Sequence, residues 1–278
     1  MITIGLTGWS DHELIQRTRS KKLEDYASHF PVVELDTSFY AIPSEKNIMS
    51  WIQKTPDVFT FIPKAYNLMT LHKPFYPDFP SMDDVFDAYK SALRAMTESN
   101  RVKAFLFQFP PVFDCTRKHV TYLKYVRLHM DDLPIAVEFR NQTWFSESNS
   151  EKTLDLLKQL KFAHVVVDQP QTPNNSVPKI VKSTHPDLSV LRLHGRNYEG
   201  WLGENVTDWR AERTLYDYTE EELSEFRLIC ETLSQESREV CVIFNNNSGG
   251  HAAKNAKRLQ ELLNLDYGYL GPQQLDLF

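Results

Sequence analysis

The segment 191–197, Leu-Arg-Leu-His-Gly-Arg-Asn, combines charged side chains with the alternation of a β-strand. Side chains of a strand point alternately to its two faces, so the leucines share one face and the charged residues share the other. The charged residues are Arg192, His194 and Arg196. Burying cations is unfavourable unless they meet opposite charge or a ligand. We therefore expect this strand to form the anion-holding wall of a pocket.

Polar residues also lie at the ends of the other predicted strands. The set comprises Glu34, Lys64, Gln108, Glu138, Arg140, Asp168, Asn245 and Asn246. The carboxyl ends of barrel strands meet at one mouth, so we expect these side chains to gather there. Glu138 and Arg140 lie two apart on one face, which predicts a paired carboxylate with a lowered pKa. For each single residue the alternative is a self-compensating polar network that fixes strand register.

These residue types suggest acid–base chemistry on an anion. Glu138 or Asp168 would act as the base, and Lys64 or His194 as the acid or electrophile. Binding of the substrate would fall to the remaining polar residues, Glu34, Gln108, Arg140, Arg192, Arg196, Asn245 and Asn246. A divalent metal on Glu138, Asp168 and His194 is conceivable but not favoured, because a lone histidine is more often a hydrogen-bonding group.

A glycine turn follows the last predicted strand. Asn246-Asn247-Ser248-Gly249-Gly250 leads into a helix, and its backbone N–H groups could hold a phosphate or carboxylate beside Arg196. The alternative is an ordinary turn that needs glycine flexibility.

Strands and helices alternate along the chain. The hydrophobic pattern predicts strands at 1–9, 31–40, 59–64, 102–109, 135–140, 163–168, 189–194 and 240–245, and helices at 21–30, 47–54, 82–96, 118–130, 151–160, 220–233 and 252–263. This count predicts a single-domain TIM-type (β/α)8 barrel over residues 1–270, with a flexible tail at 271–278. The rival, a doubly wound open sheet, lacks a glycine-rich dinucleotide turn. The sixth crossover, 169–187, is rich in proline, so we expect it to be irregular.

Composition limits the partners. A net charge of −6 argues against a general nucleic-acid surface, and no apolar run is long enough to span a membrane. Three cysteines without metal-type spacing suggest reduced thiols, and the absence of a secretory leader predicts a cytoplasmic location.

Several short motifs occur in order along almost the whole chain. They are Gly8-Trp9, Val33-Glu34, Ser38-Phe39-Tyr40, Phe107 to Pro111, Ala136 to Arg140, Arg192 to Asn197, Tyr216-Asp217-Tyr218 and Phe244-Asn245-Asn246. On these motifs the chain resembles the YecE-like family, domain of unknown function 72. The resemblance implies a TIM barrel. Trp9 and Tyr40, which belong to the matching motifs, join the candidate substrate-binding residues.

The last five residues have a separate resemblance. Gln274-Leu275-Asp276-Leu277-Phe278 is similar to the short peptide by which bacterial proteins bind the DNA sliding clamp. Leu277 and Phe278 would be apolar anchors and Gln274 a polar contact. The alternative is a tail that docks on its own barrel.

Two functions follow from these features. The first is a hydrolase or lyase that acts on a phosphate-bearing, nucleic-acid-derived substrate and is recruited to DNA by the clamp. The second is a non-catalytic module that binds a phosphate- or carboxylate-bearing small molecule and is tethered to the clamp. Strongly shifted pKa values at the mouth would favour the enzyme, whereas complete pairing and closure from solvent would remove its support.

Overall fold

Eight parallel strands form a barrel in the computed structural model, which describes residues 1–16, 20–74, 78–173, 176–203 and 208–270. The strands are β1 (Ile2–Thr7), β2 (Val32–Leu35), β3 (Thr60–Pro63), β4 (Phe105–Gln108), β5 (Ile135–Glu138), β6 (Phe162–Asp168), β7 (Leu188–Leu193) and β8 (Glu239–Phe244). Their order is β3-β2-β1-β8-β7-β6-β5-β4. Backbone hydrogen bonds of Phe61 with Arg101 and Lys103, and of Ala65 with Leu106, close the ring between β3 and β4. The predicted (β/α)8 barrel is confirmed.

Helices connect most of the strands. They are α1 (Lys22–Ala27), α2 (Thr37–Tyr40), α3 (Glu45–Gln53), α4 (Met82–Glu98), α5 (Arg117–His129), α6 (Ser150–Gln159), α7 (Tyr198–Leu202), α8 (Trp209–Arg213), α9 (Glu220–Leu233) and α10 (His251–Leu262). The bounds predicted for the helix 220–233 are those of α9, which begins with a capping box between Thr219 and Glu222. No helix of the described residues is long and apolar enough to cross a membrane.

The sixth crossover is irregular, as predicted. Its described part, 169–173 and 176–187, contains no helix. Side-chain hydrogen bonds hold it instead: Ser176 donates to Pro170 O at 2.5 Å, and Thr184 donates to Phe162 O at 2.6 Å. The described part of this crossover therefore lacks the helix that usually joins two barrel strands.

The predicted strand 31–40 is wrong beyond residue 35. β2 ends at Leu35, and the helical turn α2 follows it. The buried Ser38 hydroxyl lies 2.7 Å from both Leu35 O and Lys64 O, which ties this turn to the ends of β2 and β3. A serine that hydrogen-bonds nearby backbone competes with a continuing strand.

The strands differ in what they point into the lumen. On β6, Ala163 lines a cavity at the amino end of the barrel and therefore faces inward. Val165 and Val167 lie two and four residues further along the same strand, so they also face the lumen. His164 faces outward, where it lies 5.3 Å from the Phe145 ring. Asp168 shares the parity of His164 and so lies outside the lumen, contrary to its predicted inward position.

Candidate functional site

Arg192 is the centre of a buried polar network that we call the floor, formed by Glu34, Gln108, Glu138, Arg140, Arg192, His194 and Asn245. Arg192 Nε donates to Glu34 Oε2 at 2.8 Å, and Nη2 donates to Glu34 Oε1 at 2.7 Å. Its Nη1 donates to Glu138 and lies 3.5 Å from Gln108 Oε1. Arg192 is only 1% exposed, and both carboxylates are fully buried. The structure thus brings these predicted residues together from β2, β4, β5 and β7.

The two floor carboxylates differ in charge environment. Burial alone would raise the pKa of Glu138, but Arg140 and Arg192 outweigh it and hold that pKa well below its usual range. Arg140 Nε lies 2.6 Å from Glu138 Oε1. For Glu34 burial dominates and raises the pKa, although Arg192 opposes this. Glu138 is therefore a fixed anion that orients two arginines, and its lowered pKa makes it a weak base.

His194 stays neutral within the floor. Burial and the neighbouring Arg140 and Arg192 hold its pKa well below the usual value, although Glu138 opposes them. Its Nε2 lies 3.1 Å from Arg140 Nη2, and its Nδ1 lies 2.8 Å from the side-chain amide of Asn245. The imidazole can therefore give or accept a hydrogen bond without carrying charge.

A rim of cations and aromatic rings lies above one side of the floor. Lys64 Nζ pairs with Asp36 Oδ1 at 3.0 Å and lies 4.8 Å from the centre of the Phe39 ring. The His72 ring also packs against Phe39, edge-on, with ring centres 4.8 Å apart. Burial, Lys64 and Arg140 lower the pKa of His72 to about 4. His72 is therefore neutral beside these two cations at pH 7.

Trp201 covers the floor from the β7 side. It is 5% exposed, and its ring lies 6.0 Å from that of His194. The guanidinium of Arg140 lies 5.1 Å from the Trp201 ring centre, and that of Arg213 lies 3.7 Å from it. Burial and the nearby Arg140 lower the pKa of Arg213 to about 9. Trp201 thus brings two guanidinium groups to the edge of the mouth.

Asp168 and Arg196 form a separate cluster outside the lumen. Arg196 Nη2 donates to Asp168 Oδ1 at 2.7 Å and to Glu225 Oε2 at 2.8 Å, and its Nη1 donates to Glu222 at 3.0 Å. Arg196 thereby turns to α9 and away from Arg192 and His194, contrary to the strand alternation predicted for it. The reason is local: β7 ends at Leu193, and Gly195 has a φ of +88°, which breaks the alternation.

The glycine turn has the predicted backbone freedom but not the predicted neighbour. Gly249 and Gly250 have φ angles of +70° and +74° and precede α10. Arg196 lies with the carboxylates of the outer cluster, whereas Ser248 of the turn shares a 2.7 Å hydrogen bond with Thr214. Phosphate binding at this turn is still only a prediction.

The other predicted residues lie around the mouth or outside the floor. Asn246 is fully buried and donates to Tyr216 O and to Asn255 Oδ1. Trp9 packs edge-on against Trp51 of α3 at 5.4 Å, and Tyr40 packs against Phe39 at 5.1 Å. The clamp-like peptide, Gln274 to Phe278, lies outside the described residues.

The family model described as "protein of unknown function DUF72" matches residues 3–275. The chain belongs to this family. It is 45% identical over 282 residues to the UPF0759 protein YunF of Bacillus subtilis, with both chains fully covered. It is 28% identical to YecE of Escherichia coli K12, with 78% of this chain and 85% of the relative covered. The crystal structure of a DUF72 family protein from Enterococcus faecalis V583 superposes with a TM-score of 0.94 at 40% identity, covering 99% of this chain and 100% of the other.

The mouth of this DUF72 barrel contains residues that sequence reasoning missed. Arg213 was not a candidate, and neither was Lys179, which lies in the irregular crossover and donates to Asp168 at 3.3 Å and to Glu225. These residues come from connections, whose direction no strand periodicity predicts. Among the described residues, no three His, Cys, Asp or Glu side chains are grouped to hold a metal ion.

Proposed function

We propose that the mouth of the barrel binds a phosphate-bearing small molecule and acts on it as a hydrolase or lyase. The observation that carries this proposal is the position of two cations at the mouth, Lys64 after β3 and Arg140 after β5: Lys64 Nζ lies 4.8 Å from the centre of the Phe39 ring, and the Arg140 guanidinium lies 5.1 Å from that of Trp201. Beneath them, the floor carboxylates are already paired with Arg192 and Arg140. An anion at the rim would meet the N–H donors of Lys64 and Arg140, although each of these cations also pairs with a carboxylate.

The contacts and exposure of the mouth residues suggest a role for each of them. Arg140, held by Glu138 and lying over Trp201, and Lys64 would bind the phosphate oxygens. Lys64 has access to solvent, at 12% side-chain exposure, and would act as the acid or electrophile. His194, which is closed from solvent, would position Arg140 through Nε2 as a neutral hydrogen-bonding group. Arg192 and Glu138 would act through Arg140, since both are closed from solvent.

The second candidate is a non-catalytic binding module. It is favoured by the closure of the floor, where Glu34, Glu138, Arg192 and His194 are each at most 1% exposed and are bonded to one another. Such a network can fix the barrel's geometry without taking part in chemistry. Turnover distinguishes the two candidates: the enzyme converts a phosphate ester, whereas the module binds it unchanged.

The test compares Lys64→Gln with Lys90→Gln. Lys90 forms an ion pair of the same length, 3.0 Å, with Asp131 on the outer surface, so its replacement controls for loss of a lysine. Calorimetric titration with inorganic phosphate should show roughly tenfold or greater weakening for Lys64→Gln, the size of one charge-assisted hydrogen bond. Lys90→Gln should bind like the parent. Equal affinities of both variants and parent would reject the site, and turnover of p-nitrophenyl phosphate that Lys64→Gln abolishes would support the enzyme.

We also propose, from the sequence alone, that the tail binds the bacterial sliding clamp and brings the barrel to DNA replication or repair sites. The support is the peptide Gln274 to Phe278, with its paired apolar anchors. Surface plasmon resonance on immobilised clamp would compare the full chain with a chain that ends at Pro272 and with a Leu277→Ala/Phe278→Ala variant. Binding that survives both changes would reject this proposal.

A further inference from the structure

Three buried side-chain oxygens at the mouth end of β1 and β8 have no hydrogen-bond partner among the described residues. They belong to Thr7, Asn246 and Asn247. Asn246 is directed to α10, where its Nδ2 donates to Asn255, so Thr7 and Asn247 remain at the mouth. Thr7 is only 8% exposed, so water does not cover it freely. A buried polar group without a partner is unfavourable, and native proteins keep few of them. Such a pair at a proposed binding site points to a ligand that completes it.

The orientation of Asn247 is fixed by its neighbour. Its Nδ2 donates to Thr7 O at 2.8 Å, and a backbone carbonyl can only accept, so the unpartnered atom is the amide oxygen. The same bond places this amide beside Thr7. The two unpartnered oxygens therefore belong to residues that are in direct contact at the end of β1.

Thr7 faces the lumen. Thr3, which shares its parity on β1, donates to Glu239 inside the amino end of the barrel. Thr7 is in register with Glu34, but both oxygens of Glu34 accept hydrogen bonds from Arg192. The carboxylate in register with Thr7 is thus already paired with Arg192, and the Thr7 hydroxyl has no partner among the described residues.

The two groups differ in the hydrogen bonds that they can form. The Thr7 hydroxyl can donate or accept, whereas the Asn247 oxygen can only accept. Unprotonated phosphate oxygens cannot satisfy Asn247, because they too only accept. A ligand hydroxyl can donate to Asn247 and accept from Thr7 at the same time.

We propose that the ligand is a polyhydroxylated phosphate ester, with one hydroxyl bound between Thr7 and Asn247. This inference rests on the proposed anion site. β1 lies four strands from β5 in either direction around the ring, so the hydroxyl site and Arg140 lie on opposite sides of the mouth. The ligand must therefore carry its hydroxyl several bonds away from its phosphate. Thr7 and Asn247 select for that hydroxyl, and Lys64 and Arg140 hold the anion.

The experiment uses two probes with the same six-carbon chain, sorbitol 6-phosphate and n-hexyl phosphate, titrated calorimetrically into the full chain. The parent should bind the hydroxylated probe about three- to tenfold more tightly, the range expected for one hydrogen bond. Thr7→Val should bring this preference to within about twofold while leaving hexyl phosphate affinity unchanged, and Thr7→Ser should restore it. Thr3→Val, on the same face of β1 but at the other end of the barrel, should keep the preference.

The outcomes separate the inference from the proposed function. If the parent binds both probes equally, the anion site stands and the hydroxyl site is rejected. If neither probe binds, both are rejected. A preference that persists in Thr7→Val also rejects the hydroxyl site. The stability of the unliganded variant gives an independent readout: Thr7→Val should unfold in urea at the parent's midpoint or above it, because the lost hydroxyl has no partner. A lower midpoint would show that it has one and would overturn the inference.

Discussion

Replacing Arg192 by Met tests the floor most directly. Arg192 binds Glu34 through two hydrogen bonds of 2.7 and 2.8 Å and also binds Glu138. In the variant Glu138 keeps Arg140 at 2.6 Å, but Glu34, which is fully buried, loses its bidentate partner. Breaking a buried pair in this way costs about 3–5 kcal/mol, because one charge remains without compensation.

The structure also sets a limit to this cost. Glu34 can avoid an uncompensated charge by taking up a proton. Protonating a carboxyl with the reference pKa of 4.5 costs about 3.4 kcal/mol at pH 7 and about 0.7 kcal/mol at pH 5. Because the folded variant then binds more protons than the unfolded chain, its stability falls as the pH rises from about 4.5 through the raised pKa of Glu34. The variant should therefore regain at most about 2–3 kcal/mol relative to the parent between pH 7 and pH 5, because the pKa of Glu34 is already raised in the parent.

Urea unfolding followed by circular dichroism at pH 5, 6 and 7 would measure these differences. Adding Glu34→Gln to Arg192→Met should remove the pH dependence, because no carboxyl remains to titrate. Arg258→Met is the matched control, since Arg258 also binds one carboxylate, Glu220, with two nitrogens but on the exposed surface. It should change stability little at any pH. A loss for Arg192→Met that is the same at pH 5 and pH 7 would refute the assignment of the cost to Glu34. If that variant does not fold, Glu34→Gln alone, which should be destabilised less, serves the same comparison.

Three further predictions concern other parts of the barrel. His164, whose pKa burial lowers to about 4, should stay neutral from pH 5.5 to 8 in two-dimensional NMR, and a midpoint above 6 would contradict its burial. Burial raises the pKa values of Cys230 and Cys241 to about 12, so both thiols should react with iodoacetamide only after unfolding. If mass spectrometry found either thiol alkylated in the native protein, this prediction would be wrong. Gly195→Ala should lower the free energy of unfolding by more than about 2 kcal/mol, because the new Cβ would lie 2.7 Å from Tyr216 Cβ in addition to the cost of its positive φ. Gly8→Ala, which has a positive φ but open space around the Cβ, should lose only about 1–2 kcal/mol. Equal losses of the two variants in urea unfolding would contradict the contact with Tyr216.

The order of strands and helices could be predicted from the sequence by itself. Period-2 apolar runs separated by amphipathic segments recur eight times, and this pattern permits few folds other than a barrel. Local patterns also determined the bounds of α9 and the irregular sixth crossover, since capping residues and prolines act on their immediate neighbours. Strand parity likewise brought Glu34, Gln108, Glu138 and Arg192 to one lumen.

Tertiary structure decided the rest of the site. Asp168 faces outward because the lumen positions of β6 belong to Val165 and Val167, a choice that depends on how the whole strand meets its neighbours. Arg196 leaves the floor because one glycine ends the alternation of β7. The approach of Trp201 and Arg213, and the two unpartnered oxygens of Thr7 and Asn247, arise between segments far apart in the chain. Sequence patterns encode the direction of a side chain along its own element, whereas these contacts depend on how separate elements pack together.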